Sequence, residues 1–269
     1  RRLEYRGYDS AGIATVHRGR LDRRRAVGKL VNLSDLLVHE PLAGRAGIGH
    51  TRWATHGAPN TTNAHPHRAG PVAVVHNGII ENYRALRDAL EAEGATFATQ
   101  TDTETVALLT ERHMAQGMTP PAAAEATLQQ LEGAFALLFL FEGEDNLMIA
   151  ARRGSPLALG WGEGEMFVGS DAIALAPLTD RITYLEEGDR AEITRAGAVI
   201  TDARGHRVNR PVRTVRAESA RIDKAGHKHF MSKEIAEQPA ADAEALSAYL
   251  SADGKTLHMP EALDFSAVG

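Results

Sequence analysis

The chain has 269 residues, enough for one large domain or two small ones. Apolar residues make up 43% and charged residues 24%, an ordinary balance for a folded globular protein that argues against disorder. A net charge of −5 gives no electrostatic case for nucleic acid or an anionic membrane surface, and the absence of cysteine excludes disulfides, thiolate metal sites and a cysteine nucleophile within these residues.

Arg1 to Tyr5 reads as the end of a helix closed by Gly7, and the sequence starts inside it without an initiator methionine, so a chain truncated at its start is expected. No signal peptide is visible, and the longest apolar run, Ala134 to Phe141, is too short to span a bilayer, so a cytoplasmic protein is the default. Ala11 to Val16 reads as a strand, and the short basic runs Arg1–Arg2 and Arg23–Arg25 as solvated faces. Leu30 to Val38 has the spacing of a short helix.

Two apolar runs follow, Ala46 to Ile48 and Pro71 to Val75. The first ends in His50, Thr51, Arg52, Trp53, Thr55 and His56, the second in His76, Asn77 and Gly78. Strands that stop in polar residues and glycine are where a rigid scaffold commonly presents chemistry on loops. Ile79 to Glu93 has one apolar face (Ile79, Ile80, Tyr83, Leu86, Leu90) and predicts a helix, which puts Asn77 and Gly78 at a strand-to-helix corner.

Thr101-Asp102-Thr103-Glu104 has the pattern of a capping box before another helix, and Pro120 begins a further one reaching about Leu131. From Ala134 the texture changes to short strands separated by glycine-bearing turns: Ala134–Phe141, Leu147–Arg152, Leu157–Trp161, Met166–Ser170, Ile182–Leu185, Arg190–Thr194 and Ala198–Thr201. Strands at both ends with helices between predict a layered α+β domain with largely antiparallel sheets over residues 1–215. Residues 216–269 read as a polar linker, a helix from Ser232 interrupted at Pro239, and the lead-in to a further domain.

Several polar residues admit two readings. Arg52 can hold a carboxylate through two parallel hydrogen bonds or form an ordinary surface ion pair. Asp102 can hold an ammonium group or simply complement a helix dipole. Asn77-Gly78 can donate to an oxyanion or make a tight turn. Trp53 suits either a core or a lid. His50, His56, His65, His67 and His76 invite a metal, but no helical His-x-x-x-His and no partnered carboxylate pair accompanies them, which argues against zinc.

In combination these stretches resemble a known family. LEYRGYDSAG (Leu3–Gly12), GHTRWATHG (Gly49–Gly57), NAHPH (Asn63–His67), HNGIIENY (His76–Tyr83), TDTE (Thr101–Glu104), LEGAFAL (Leu131–Leu137), Ser170-Asp171 and HFMSKEIAEQP (His229–Pro239) together resemble the glutamine-hydrolysing half of the glutamine–fructose-6-phosphate aminotransferase (isomerizing) family. The resemblance covers essentially the whole chain and implies a four-layer α/β/β/α sandwich of the N-terminal-nucleophile hydrolase class. It implies that Arg52 clamps the α-carboxylate of L-glutamine, Asp102 meets its α-ammonium, Asn77 and Gly78 form the oxyanion hole, and Trp53 to Pro59 folds over the substrate. Thr55 and His56 would line that pocket, with Arg6 near the nucleophile. It also implies fructose 6-phosphate as acceptor at a C-terminal domain outside this chain, an ammonia path to it, homo-oligomerisation through it, and no metal or organic cofactor. The chain departs from the family in lacking its N-terminal cysteine nucleophile, so these residues alone are expected to be inactive. The alternatives are another amidotransferase, similar to amidophosphoribosyltransferase, or a catalytically dead glutamine-binding module.

Overall fold

The computed structural model describes residues 7–215 and 226–247. Its centre is β6 (Gly133–Phe141), whose sequence GAFALLFLF is apolar on both faces, as expected for a strand covered on both sides. Phe135, Leu137, Phe139 and Phe141 point to one side with Val72, Val74, Ile80 and Ile149. Ala136, Leu138 and Leu140 point to the other. Strand β6 pairs with β5 (Val72–Ile80) and β7 (Met148–Arg153) in a seven-stranded sheet that also holds β4 (His67–Ala69), β11 (Arg190–Thr194), β12 (Gly197–Thr201) and β13 (Arg207–Val208). All of its strand pairs are antiparallel.

The phenylalanine face is sealed by α3 (Asp102–Ala115), whose Val106 and Ala107 are fully buried there, and by Ala124 of α4 (Pro120–Leu128), with α2 (Tyr83–Ala92) alongside. The opposite face meets two separate small sheets. One has the order β2-β1-β3, from β1 (Ser10–His17), β2 (Arg20–Val27) and β3 (Ala46–Arg52). The other is built from β8 (Ala158–Trp161), β9 (Met166–Gly169), β10 (Arg181–Tyr184) and β14 (Arg213–Thr214). The outer layer is α1 (Leu30–His39), on β1 and β2, and α5 (Ala172–Leu175), on β8 and β9. The result is an α/β/β/α sandwich whose second β layer is interrupted between the edge strands β3 and β9.

By contact the chain divides into two compact units, Arg1–Arg221 and Ile222–Gly269. In the second, α6 (Phe230–Ser247) runs through Pro239 without a break, where the sequence predicts an interruption. The helix expected at Arg1 to Tyr5 lies outside the described residues, as does Arg6.

Four local expectations are corrected. Strand β5 continues to Ile80, because Ile79 and Ile80 pair with Ala134 and Gly133 of β6, and α2 starts only at Tyr83. Asn77 and Gly78 therefore lie within a strand, opposite Ala136 and Phe135, and not at a corner or tight turn. The arginine-rich segment is β2, with Leu21 fully buried. Arg23 and Arg25 are half-buried and donate to the carbonyls of Pro66, Thr62 and Ala64. Burial and the neighbouring Arg25 and Arg68 push Arg23 down to about 10. The capping box does not close. Thr101 precedes α3 without a side-chain cap bond, and Glu104 instead accepts from the amides of Ala98 and Thr99 at 2.9 and 2.7 Å.

Candidate active site

A cavity of about 860 Å³ opens where the second β layer is interrupted. Its floor is β5 and β6, through Val75, His76, Asn77, Gly78, Ala136 and Leu138, and its sides include Gly49–Arg52 from β3 and Val168–Ser170 at the end of β9. Trp53, Thr55, His56 and Asp102 close one end. Seven of the residues singled out in the sequence (Arg52, Trp53, Thr55, His56, Asn77, Gly78, Asp102) thus border one space, although they come from a strand end, a loop, a mid-strand and a helix N-terminus.

Backbone geometry explains Gly78. Its φ is +123°, and a Cβ there would lie 2.0 Å from the carbonyl oxygen of Ala134, so only glycine fits. Strand β4 covers β5 only over Val72–Val74, which leaves one backbone edge of β5 without a strand partner among the described residues from Val75 onward. On that edge the amide of Ile80 donates to Asp102 Oδ2 at 2.9 Å, and this bond ties the start of α3 to the end of β5.

Arg52 is 3% exposed and holds the loop that follows it. Its guanidinium donates to the carbonyls of His56, Gly57 (3.1 Å) and Ala58 (3.5 Å) and lies 3.5 Å from Asp9 Oδ1. Asp9 Oδ2 accepts from the amide of Ala54 at 2.6 Å, so one carboxylate grips both the arginine and the loop. Asn63 holds the far end of the loop, donating to the carbonyl of Ala58 at 2.9 Å and accepting from the amide of Gln100 at 3.0 Å. Trp53 is 70% exposed, with its ring over Gly7, where a Cβ would come within 2.8 Å of it. The His56 ring meets Tyr83 edge-on at 5.1 Å.

Of the remaining histidines, His50, His65 and His76 line the cavity and are linked by hydrogen bonds. His50 bridges Asn77 Oδ1 (2.8 Å) and His65 Nδ1 (3.0 Å). Thr103 Oγ1 lies 2.9 Å from His65 Nε2 and 3.1 Å from His76 Nδ1. His67 Nε2 meets Thr101 at 3.2 Å. Burial disfavours the charged form of every one of these rings. It pushes His50 down to about 4 and holds His65 and His67 well below the usual imidazole range. His76 is lowered too, burial outweighing the opposite pull of Asp102. These rings are neutral at pH 7; His50 bonds His65, His65 and His76 share Thr103, and His67 bonds Thr101. Among the described residues, no group of three or more His, Asp or Glu side chains is placed to hold a metal ion.

Asp9, Asn63 and Thr103 lie inside the motifs that carry the resemblance, but their local spacing does not separate them from ordinary turn or helix-start residues, since their partners Ala54, Gln100 and His65 lie far away in the chain. Gly12 belongs with them. A Cβ there would be 2.1 Å from the carbonyl oxygen of His65, so its absence lets the histidine segment close on β1.

Known proteins share this sequence and fold. The family description "Glutamine amidotransferase domain" matches residues 50–177, which contain the whole Arg52-to-Ser170 part of the cavity wall. The matched segment is just under half of the chain. The chain is 57% identical over all 269 residues to glutamine–fructose-6-phosphate aminotransferase [isomerizing] of Brucella suis biovar 1 (strain 1330). It is 54% identical over 272 aligned residues to the enzyme of the same name from Mesorhizobium japonicum. The chain spans 44% of the length of each of these relatives. Among solved structures, glutamine phosphoribosylpyrophosphate (PRPP) amidotransferase from B. subtilis, complexed with ADP and GMP, superposes with a TM-score of 0.64 at 28% identity. That match covers 75% of this chain and 44% of the other. The fold is accordingly that of the N-terminal-nucleophile class, α+β with antiparallel sheets.

Proposed function

We propose that residues 1–215 are the glutamine-hydrolysing domain of an enzyme that transfers the amide nitrogen of L-glutamine to D-fructose 6-phosphate, giving D-glucosamine 6-phosphate and L-glutamate. Residues 216–269 would connect it to a sugar-isomerase domain. The observation that carries this reading is the convergence of Arg52, Asp102, Asn77 and Gly78 on one cavity, in a chain 57% identical throughout to a relative bearing that activity's name.

In this reading the Arg52 guanidinium and the Asp102 carboxylate fix the two ends of the substrate's zwitterion by charge-assisted hydrogen bonds. The terminal nitrogens of Arg52 hold the His56–Ala58 carbonyls, so substrate binding and loop position would share one side chain. The attacking thiolate comes from a cysteine outside these residues, carried by a strand laid between β3 and β9. It adds to the carboxamide carbonyl, and the Asn77 side-chain amide and the Gly78 N–H stabilise the oxyanion. Collapse of the adduct releases ammonia and leaves a γ-glutamyl thioester. Water cleaves the thioester to glutamate and returns the thiol.

Two measurements test this. Calorimetry on the 269-residue chain is expected to show glutamine binding, and a glutamate assay on the same chain no turnover, because it has no thiol. Turnover by this chain would sink the single-nucleophile account. The reading frame upstream of Arg1 is expected to encode Met-Cys-Gly, and a continuous frame without that cysteine would leave a glutamine-binding module in place of a glutaminase.

A further inference from the structure

The two ends of the Asn77 carboxamide have nearly the same shape and opposite polarity, and only the Nδ2 end can donate to an oxyanion. Which end faces the cavity depends on the 2.8 Å contact between Asn77 Oδ1 and His50 Nε2. If Nε2 carries the hydrogen, it donates to Oδ1 and Nδ2 is left for the cavity. If Nδ1 carries it, the bare Nε2 attracts the amide NH2 and turns the carbonyl oxygen toward the substrate.

Four further contacts link that choice to a fixed charge. His50 Nδ1 lies 3.0 Å from His65 Nδ1, so one of these two nitrogens bears a hydrogen and the other accepts it. His65 Nε2 lies 2.9 Å from Thr103 Oγ1, which lies 3.1 Å from His76 Nδ1. His76 Nδ1 is 3.7 Å from Asp102 Oδ2. A neutral imidazole has one N–H and a hydroxyl one O–H, so the Thr103 hydroxyl donates to His65, to His76 or to Asp102 Oδ1 at 3.4 Å, and that choice fixes the tautomers along the chain.

Two observations make that choice. The Asp102 carboxylate only accepts, so it attracts a hydrogen on His76 Nδ1 and repels a bare lone pair there. Thr103 Oγ1 is 2.9 Å from His65 Nε2 and 3.4 Å from Asp102 Oδ1, so with His76 donating to it the hydroxyl hydrogen goes to His65. With the hydrogen on His76 Nδ1, Thr103 donates to His65 Nε2, His65 Nδ1–H donates to His50, and His50 Nε2–H donates to Asn77. Burial keeps the rings neutral, as this logic requires.

We infer that His50 is a positioning residue: its Nε2–H holds Asn77 with Nδ2 toward the cavity, in a direction set by Asp102 through His76, Thr103 and His65. The inference rests on the reading of Asn77 as an oxyanion donor, and the tests separate the two.

Long-range ¹H–¹⁵N correlation spectra of the histidine-labelled chain near neutral pH are expected to show the Nε2–H tautomer at His50 and Nδ1–H tautomers at His65 and His76. An Nδ1–H tautomer at His50 overturns the inference whatever any variant does. In the catalytically competent full-length protein, Asn77→Ala is expected to lower kcat for glutamine hydrolysis about 100-fold. His50→Leu, which removes the donor, is expected to lower kcat by about 10- to 100-fold with KM within about twofold. His50→Gln places an amide N–H near the position of Nε2 and is expected to recover kcat to within about threefold of the parent. If Asn77→Ala keeps its kcat, the oxyanion reading falls. If Asn77→Ala loses it while His50→Leu does not, the oxyanion reading stands and the role of His50 is overturned. Thermal melts establish that each variant is folded, and should His50→Leu fail to fold, the tautomer spectrum of the parent decides.

Discussion

The two halves of β5 differ in what surrounds them. Val72 to Val75 is buried and apolar, with β4 pairing along Val72–Val74 on one side and β6 on the other. From His76 to Gly78 the same strand keeps only β6, exposes Asn77, and turns its free edge and polar side chains toward the cavity. Full pairing and close packing stabilise the first half. The second gives up one row of ladder bonds, and its conformation depends on a glycine with φ +123° and on bonds to residues from other elements. A strand can therefore serve as scaffold at one end and as reactive surface at the other, provided its neighbour on one side stops early.

Substitutions should separate these halves. On the packed side, Phe139→Ala opposite Val74 removes a fully buried ring and is expected to lower the unfolding free energy by about 3–5 kcal/mol in urea titrations. The glutamine KM of the molecules that remain folded should not change. A comparable KM shift would show that the two halves are not separable. On the open side, Gly78→Ala drives a methyl group into the Ala134 carbonyl. The backbone must shift, and kcat should fall about 100-fold, equivalent to roughly 3 kcal/mol of transition-state stabilisation. A smaller kcat loss than loss of stability would reverse the assignment of this half.

The buried histidines make the open side the acid-sensitive one. His50 titrates near 6.5 when unfolded and at about 4 when folded. Between those values the unfolded chain binds protons that the native state refuses, so stability falls as pH is lowered through that window and is level above it. The contribution of His50 alone is on the order of 3 kcal/mol. His65, His67 and His76 act in the same direction. Urea unfolding at pH 7, 6, 5 and 4 checks this, and a flat profile would mean that water already reaches the rings in the native state. The smallest effect concerns the loop. Arg52→Ala should raise KM for glutamine by about 10- to 100-fold, consistent with loss of a charge-assisted pair. It should also speed amide exchange at Ala54 to Ala58, because the same guanidinium holds three carbonyls there. Loss of ammonia-dependent synthesis to an equal degree would count against a role specific to glutamine.

What the sequence carried about the fold was mostly local. The glycine turns after Phe141, Trp161 and Thr194 delimit strands that the structure reproduces within a residue or two, because alternation and turn chemistry act over a few positions. Pairing overrode local pattern elsewhere. Ile79, Ile80 and Tyr83 have helical spacing, yet the backbone of Ile79 and Ile80 is claimed by β6 and by Asp102. The arginines of β2 mask a strand because their head groups find partners outside it: Arg23 and Arg25 end on the Thr62–Pro66 carbonyls and Arg24 on Glu40.

The site divides in the same way. By itself the sequence determined which residue types are present, namely a guanidinium, a carboxylate, an amide beside a glycine and a cluster of imidazoles, and its motifs carry the likeness to glutamine amidotransferases. Only the tertiary structure decided that Arg52 spends most of its donors on its own loop, that Asp9 grips that loop, and that His50 meets Asn77 while Thr103 meets His65. Those last partners are 27 and 38 residues apart. Hydrogen bonds of that reach depend on how β3, β5 and α3 pack, and no spacing along the chain encodes the direction in which an amide or imidazole points.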